Sequence, residues 1–411
     1  MNIFRSADIL LPENADLEKW AVIACDQFTS DLAYWQRVRK FAGQAPSVIH
    51  MILPEAELED HGSDSIAQIN ANMIKYLNEE VFCVYPNSYI YVERTLENGM
   101  IRPGLVGMVD LESYDYRPGS GSPVRATERT VLERIPPRKM VRKDAALEFP
   151  HVLMLCDDDQ FALIEPVAAR KNRLPKLYDF DLMEDGGHIT GWLVSGDDAK
   201  AFDEAFAAYS ATYQEKYADL AGDSVLLAVG DGNHSLATAK SCYEDMKAAD
   251  PNGDLSNHPS RYALVELENI HDPSQVFEPI HRILTEVDAD KLMADLASIC
   301  APEGHGVVCV IGDQRKELFL DRTLGELAVA VLQEFLDRWL ENNPGKIDYI
   351  HGEEEILRLA AADNAVGFLL PPMAKHSLFR GVIAGGVLPR KTFSMGHARE
   401  KRYYLEGRKI K

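Results

Sequence analysis

Residues 226–246 read LLAVGDGNHSLATAKSCYEDM. An apolar run of strand length stops at Gly230-Asp231-Gly232, and helical periodicity takes over at about His234 or Ser235. Glycines at such a junction permit positive φ and let a ligand approach the backbone closely. The N–H groups of a first helical turn, aided by the helix dipole, form a pocket for an anion. Asp231 then stands at the rim, placed to hold a metal ion or to accept a hydroxyl proton. His234 projects beside it as a hydrogen-bond donor or an acid/base. The same residues also read as an ordinary strand exit, with Asp231 or Asn233 as a helix cap and His234 as a surface residue. The pattern is neither a P-loop nor a dinucleotide-binding glycine signature.

Further strand-like runs, each short and bounded by turn residues, are WAVIACD (20–26), YIYVERT (89–95), GLVGMVDL (104–111), VLMLC (152–156), YALVEL (262–267), GVVCVIG (306–312) and VGFLL (366–370). Helical patterns cover 65–80, 197–220, 236–250 and 324–343. In the last, Leu327, Val331, Phe335 and Trp339 recur at i+4 as a core stripe. Strands and helices do not alternate strictly, so the expected class is α+β, with mixed sheets and flanking helices. The 411 residues exceed one ordinary core. The expected division is an N-terminal and central α+β region (1–285) carrying the Asp-Gly-Asn-His turn, and a C-terminal α+β region (286–411) with a basic tail. Pro279, ahead of His281 and Arg282, reads as a turn before a helix.

The formal charge is −22. So acidic a surface repels phosphate backbones and anionic lipids, which argues against nucleic-acid and membrane partners. No apolar run is long enough to span a bilayer, and the first residues lack a secretory pattern. Six scattered cysteines without CxxC spacing argue against a zinc site or a disulfide framework and point to a reducing, cytoplasmic setting. Two basic islands break the acidic trend. Residues 125–143 hold seven Lys/Arg against two Glu, and residues 371–411 hold ten against two. They are either a focused anion site or partners of acids elsewhere in the fold.

VGDGNHSLATAK, with WAVIACDQFTS (20–30), GLVGMVDLESYDY (104–116), ATERT (126–130), LYDFDLMEDGGHITGW (177–192), PIHRIL (279–284) and LPRKTFSMGHAREKRYYLEGRKI (388–410), resembles the bacterial and archaeal family known as domain of unknown function 1015. Asp-Gly-x-His is also similar to the motif of a wider group: the ParB nucleotide-binding domain, sulfiredoxin and the archaeal free-serine kinases. That resemblance implies a ParB/sulfiredoxin-like core whose strand-to-helix turn binds nucleotide phosphates. This chain keeps Asp231, Gly232 and His234 but has Ser235 where the group has arginine. Serine cannot replace a bidentate guanidinium clamp, so either the basic islands supply the missing cation or the phosphate chemistry has been lost. No cysteine lies in the turn, which argues against sulfiredoxin chemistry.

Phosphoryl transfer needs phosphate binding, charge neutralisation and a group that serves the acceptor. The candidate catalytic residues are Asp26, Glu128, Asp231 and His234, with Asp231 as metal ligand. The candidate phosphate and nucleotide contacts are Gly232, Asn233, Ser235, Arg129, Arg282, Lys391 and Thr392, with Arg282 as a stand-in for the missing arginine. Glu128, between Arg125 and Arg129 in sequence, is expected to have its pKa lowered if those cations lie close. The expected cofactors are ATP or ADP with Mg²⁺. The function these residues suggest is a nucleotide-dependent phosphotransferase acting on a small hydroxylated metabolite, for which the resemblance implies L-serine or phosphoserine. A non-catalytic nucleotide-binding switch and a metal-dependent small-molecule phosphatase are the alternatives.

Overall fold

The strand Leu227–Asp231 lies inside a large mixed sheet and aims its two faces at different cores. Leu227 and Val229 join the cluster of Phe4, Tyr89, Phe202 and Leu236, while Ala228 packs with Leu155, Phe277, Phe393 and Met395. That two-sided burial follows from a fully apolar run with period-two side-chain direction. The computed structural model describes residues 3–24, 31–57, 63–149, 151–389, 391–396 and 398–411.

Among these residues the large sheet has eleven strands. Its main path runs Lys176–Asp181, His188–Val194, Phe82–Thr95, Ile101–Asp110, Tyr262–Asn269, Leu153–Cys156, Leu227–Asp231, Val124–Ala126 and Tyr114–Asp115. Leu227–Asp231 runs antiparallel to Leu153–Cys156 and parallel to Val124–Ala126, with Val229 opposite both Met154 and Ala126. A second sheet of six strands runs Gln314–Leu320, Cys300–Ile311, Val366–Leu369, Phe277–Thr285 and Lys346–His351, with Phe393–Met395 added beside the start of Phe277–Thr285. The fold is α+β with mixed sheets.

The strand-like runs of the sequence appear close to where they were read. WAVIACD is the exception within the described residues: Trp20 ends a four-residue helix, Val22–Ile23 is the strand, and residues 25–30 lie outside the described residues. The expected helix after Pro279 is absent. FEPIHRILT is a strand, Phe277–Thr285, pairing with Tyr349 and Phe368 at Arg282. Phe277, Ile280, Ile283 and Leu284 are buried, and so are His281 and Arg282. Burial of five consecutive residues, Ile280–Leu284, with two polar side chains among them, hides the strand pattern from a reading based on apolar alternation.

The helix Asn233–Ala249 places Leu236, Ala239 and Tyr243 on the core face, at i, i+3 and i+7. The last stretch of chain returns to the first. Tyr403–Tyr404 pairs with Val22–Ile23, Arg408–Lys409 pairs with Leu147–Glu148, and Gly407 bridges Leu10. A parallel bridge joins Glu128 to Leu388. These pairings bring the two basic islands to one place. No helix among the described residues is long and apolar enough to cross a membrane.

Candidate functional site

The turn after Leu227–Asp231 is built around Gly232, which adopts φ 85° and caps the following helix; no side chain caps that end. A Cβ at Gly232 would stand 3.0 Å from Val152 Cα and 3.1 Å from Val152 Cγ2, so a side chain is excluded by space as well as by φ. The Gly232 N–H donates to Asp231 Oδ1 at 2.9 Å. The turn therefore presents a helix N-terminus with a carboxylate folded beside it.

This turn opens into a cavity of about 910 Å³. Gly232, Asn233, His234 and Ser235 line it, together with Asp231, Glu128, Arg129, Thr130 and Lys391. The cavity also has an apolar wall from Trp35, Met51, Leu53, Met73, Phe149 and Tyr404. Its size and mixed lining suit a small organic ligand with a charged end.

Glu128 and Asp231 are close enough for each to act on the other's charge. Burial is the largest influence on Glu128 and raises its pKa; Asp231 adds to the rise, and Lys391 and Lys401 oppose it. The expected lowering does not occur. Arg125, which was to supply part of it, turns away to the carbonyls of Ser122 (2.8 Å) and Asp223 (2.6 Å). For Asp231 burial also pushes upward, but Lys401, His151 and the Gly232 N–H together hold its pKa below the usual aspartate value. Lys401 Nζ stands 3.2 Å from Asp231 Oδ2. One carboxyl thus leans towards its protonated form while its neighbour stays ionised, the split that separates acid–base roles at a site.

His234 Nε2 accepts a hydrogen bond from the Val131 N–H at 3.1 Å. The ring nitrogen that accepts carries no proton, so His234 here pins the segment holding Glu128, Arg129 and Thr130 to the helix start. Thr127 completes the attachment, donating from Oγ1 to the Val229 carbonyl at 2.6 Å. ATERT and DGNHS, 100 residues apart in sequence, form one wall.

Lys391 has φ 55°, a left-handed backbone uncommon outside glycine, asparagine and aspartate. Its backbone N–H supports the Glu128 carboxylate. Its carbonyl accepts from Arg282 Nη1 at 2.8 Å. Arg282 is wholly buried and does not line the cavity; it also donates to Gln333 Oε1 (2.9 Å) and the Ile280 carbonyl (2.5 Å). Thr392 is buried as well, its Oγ1 donating to the Pro389 carbonyl at 2.7 Å. Of the predicted contacts, Gly232, Asn233, Ser235, Arg129 and Lys391 meet at the cavity, and Arg282 and Thr392 stand behind it. Asp26 lies outside the described residues.

Most basic-island residues do pair with acids: Arg142 with Glu148, Lys139 with Asp245, Arg380 with Asp219, Arg402 with Glu266, and Arg408 with Glu148. Arg129, Arg134 and Lys391 line the cavity without forming an ion pair among the described residues. Thr130 and Asn233, which line the cavity, each carry a buried side-chain oxygen, Oγ1 and Oδ1, without a hydrogen-bond partner among the described residues. Buried polar atoms are rarely left unpaired, and a ligand is one recurring reason. Sequence reading missed Lys401 and His151. Lys401 had only the general signal of a basic tail, and His151, just ahead of a strand, had none.

Among the described residues no three His, Cys, Asp or Glu side chains converge as a metal site. Both Asp231 oxygens are already engaged, by Gly232 N–H and Lys401. The described residues alone therefore do not make a Mg²⁺ cage. That ion commonly relies on one or two carboxylates plus phosphates and water.

No curated protein matches the sequence. Among solved structures, a free serine kinase in complex with AMP aligns at 10% identity and TM-score 0.38, covering 74% of this chain and 91% of that one. SbnI with a C-terminal truncation, from Staphylococcus aureus, aligns at 12% identity and TM-score 0.35, covering 71% and 82%. A conserved hypothetical protein from Pyrococcus furiosus gives 10% identity and TM-score 0.33, covering 72% and 90%. Alignments this weak carry no argument about what this chain does. The sequence itself is decisive at the level of family: the model described as "Protein of unknown function (DUF1015)" matches residues 8–363, and the chain belongs to that family.

Proposed function

We propose that the cavity binds a nucleotide by its phosphates and that the protein transfers a phosphoryl group between that nucleotide and a small hydroxylated metabolite. The observation that carries this reading is one wall. There the N-terminus of helix Asn233–Ala249, Thr130 and Asn233 (whose buried side-chain oxygens have no partner among the described residues), and the cations Arg129, Arg134 and Lys391 all line the same space as Glu128.

In this reading the helix start and Ser235 hold phosphate oxygens, and Arg129 and Lys391 neutralise their charge. The apolar wall of Trp35, Met51 and Phe149 receives the base and sugar. Glu128, with its pKa raised by burial above the ordinary glutamate value, accepts the proton of the attacking hydroxyl as the new O–P bond forms and the O–P bond to the nucleotide breaks. The leaving oxygen keeps the electron pair beside Lys391. Asp231 keeps Lys401 in place. Mg²⁺, when present, supplies further charge neutralisation on the phosphates.

The test incubates the protein with Mg²⁺ and ATP or ADP, with and without L-serine, and follows phosphoserine and nucleotide by NMR. Serine is the first acceptor because of the Asp-Gly-x-His resemblance; a panel of small alcohols follows. Acceptor-dependent turnover supports the proposal. Tight nucleotide binding with no turnover on any acceptor reduces the protein to a binding switch. No affinity for any nucleotide overturns the reading.

A further inference from the structure

The phosphoryl-transfer reading employs Arg129 and Lys391 and leaves one wall of the same cavity without a role. That wall is helix Ile135–Arg142, with Arg134 as its N-cap residue. Arg134, Arg138, Val141 and Arg142 all line the cavity. Steps of three and four residues put them on one helical stripe. Lys139 lies off that stripe and fixes the helix against Asn233–Ala249, reaching Ser241 Oγ at 3.0 Å and Asp245 Oδ2 at 2.5 Å. The arginine face is therefore held in a set orientation to the phosphate-binding turn.

This helix breaks two local electrostatic rules. Residues 134–143 hold five Lys/Arg and no Asp or Glu, in a chain of formal charge −22. Like charges four residues apart repel along a helix, and Arg134, Arg138 and Arg142 repeat at that interval. Cations near a helix start also oppose the dipole, yet Arg134 is the N-cap residue and the first turn holds no acid to offset it. Departures of this kind concentrate at functional sites.

The three arginines differ in their engagement. Arg142 is neutralised by Glu148 at 2.6 Å. Arg138 is occupied as well, its Nη1 donating to the Arg134 carbonyl at 2.6 Å. Arg134 is exposed at the cavity and makes no ion pair among the described residues; Glu133, which also lines the cavity, pairs with neither Arg129 nor Arg134. Pro136 and Pro137 carry no N–H, so this helix end offers few backbone donors and recognition there falls to the guanidinium.

Arg129 and Arg134 belong to two parts of one wall. Between them the chain is pinned at Val131, whose N–H donates to His234 Nε2 at 3.1 Å. Arg129 lies before the pin, next to Glu128, and Arg134 lies after it, at the helix start. A guanidinium grips a carboxylate or a phosphate through two parallel hydrogen bonds. The wall thus offers one cation beside the reacting hydroxyl's carboxylate and another further along.

We propose that the phosphoryl acceptor is itself an anion, a small molecule bearing a carboxylate or phosphate besides its hydroxyl, and that Arg134 is the residue that selects it. The inference rests on the phosphoryl-transfer reading for the fate of the hydroxyl, whereas the anion site is measurable by binding alone.

The test compares matched probes on the full chain: glycerol with glycerate, glycerol with glycerol phosphate, and ethanolamine with L-serine. In calorimetric titration at least one anionic member should bind about ten-fold or more tightly than its counterpart. The pair that shows the advantage tells carboxylate from phosphate. Arg134→Gln should remove the advantage and Arg134→Lys should keep part of it, with nucleotide affinity unchanged in both and circular dichroism confirming the fold. In the transfer assay Arg134→Gln should raise KM for the acceptor and leave kcat close to wild type. An anion advantage without transfer to any probe would sink the phosphoryl-transfer reading and support the anion site; transfer without the advantage would do the reverse. The proposal is also overturned if no anionic probe binds saturably, if the advantage survives Arg134→Gln, or if that variant weakens the nucleotide in place of the acceptor.

Discussion

Arg282 Nη1, on a fully buried side chain, donates to the carbonyl oxygen of Lys391 across 109 residues of sequence, at 2.8 Å. It holds Lys391 in a left-handed backbone whose N–H supports Glu128 and whose side chain lines the cavity. Non-glycine residues in this region cost of order 1 kcal/mol or more and persist where surroundings over-determine them. Here the surroundings are Arg282 on one side and Glu128 on the other.

Replacing either partner separates stability from binding. Arg282→Met leaves Gln333 Oε1 and two carbonyls without their donor, and should lower stability by roughly 2–4 kcal/mol in urea unfolding. Lys391→Gly relieves the φ of 55° and should leave stability unchanged or raise it by up to about 1 kcal/mol. The same variant loses a cavity cation, so nucleotide affinity should fall about ten-fold.

Thr130→Val removes an unpartnered hydroxyl without changing the shape of the wall. The ligand-free protein should be as stable as the wild type, within about 1 kcal/mol, while phosphate-ligand affinity drops by roughly five- to thirty-fold. Equal affinity would show that the hydroxyl faces no ligand.

The two carboxyls should have opposite effects on stability. Glu128 has a folded-state pKa above its ordinary value of 4.5. The native state therefore binds more protons than the unfolded state as pH rises through that interval, and stability falls across it. Glu128→Gln removes this loss, so it should raise the melting temperature at pH 7 and abolish turnover. Asp231 is depressed below 3.8, so its contribution is present at neutral pH and is lost as pH falls through the folded value. Asp231→Asn should lower the melting temperature at pH 7, because Lys401 loses its partner. Differential scanning calorimetry from about pH 2 to about pH 8 reads both signs, the Asp231 loss falling at the acid end of that range.

Gly232→Ala combines a left-handed φ of 85° with a Cβ 3.0 Å from Val152 Cα. It should cost about 2–3 kcal/mol and turn the helix start away from the cavity. His234→Ala is milder: losing one hydrogen bond to Val131 N–H costs about 1 kcal/mol, with a larger loss of affinity as Arg129 and Thr130 drift.

How far the sequence could be read depended on where each contact came from. The strand Leu227–Asp231 and its helix were legible because apolar runs, glycine and helical period all change within six residues. The pairing of ATERT with that turn was suspected, but no local pattern could reveal that the Val131 N–H meets His234. Glu128 misled because its sequence neighbours are arginines, whereas its spatial neighbours are Asp231, Lys391 and Lys401. Arg282 misled because a strand with both faces buried shows no alternation, and a proline two residues into it looked like a turn. Charge arriving from the far end of the chain left only a compositional trace.

The return of residues 391–409 to the early strands has a thermodynamic corollary. Lys401 reaches Asp231 from a segment that continues directly into Tyr403–Tyr404, laced to Val22–Ile23, and on to Arg408–Lys409, laced to Leu147–Glu148. Sub-global detachment of that lacing would withdraw Lys401 from Asp231, at the cavity edge, with either sheet still intact. Apparent affinity is then the intrinsic affinity multiplied by the laced fraction, and an occupied cavity slows amide exchange at Tyr403 and Tyr404, far from any atom the ligand touches.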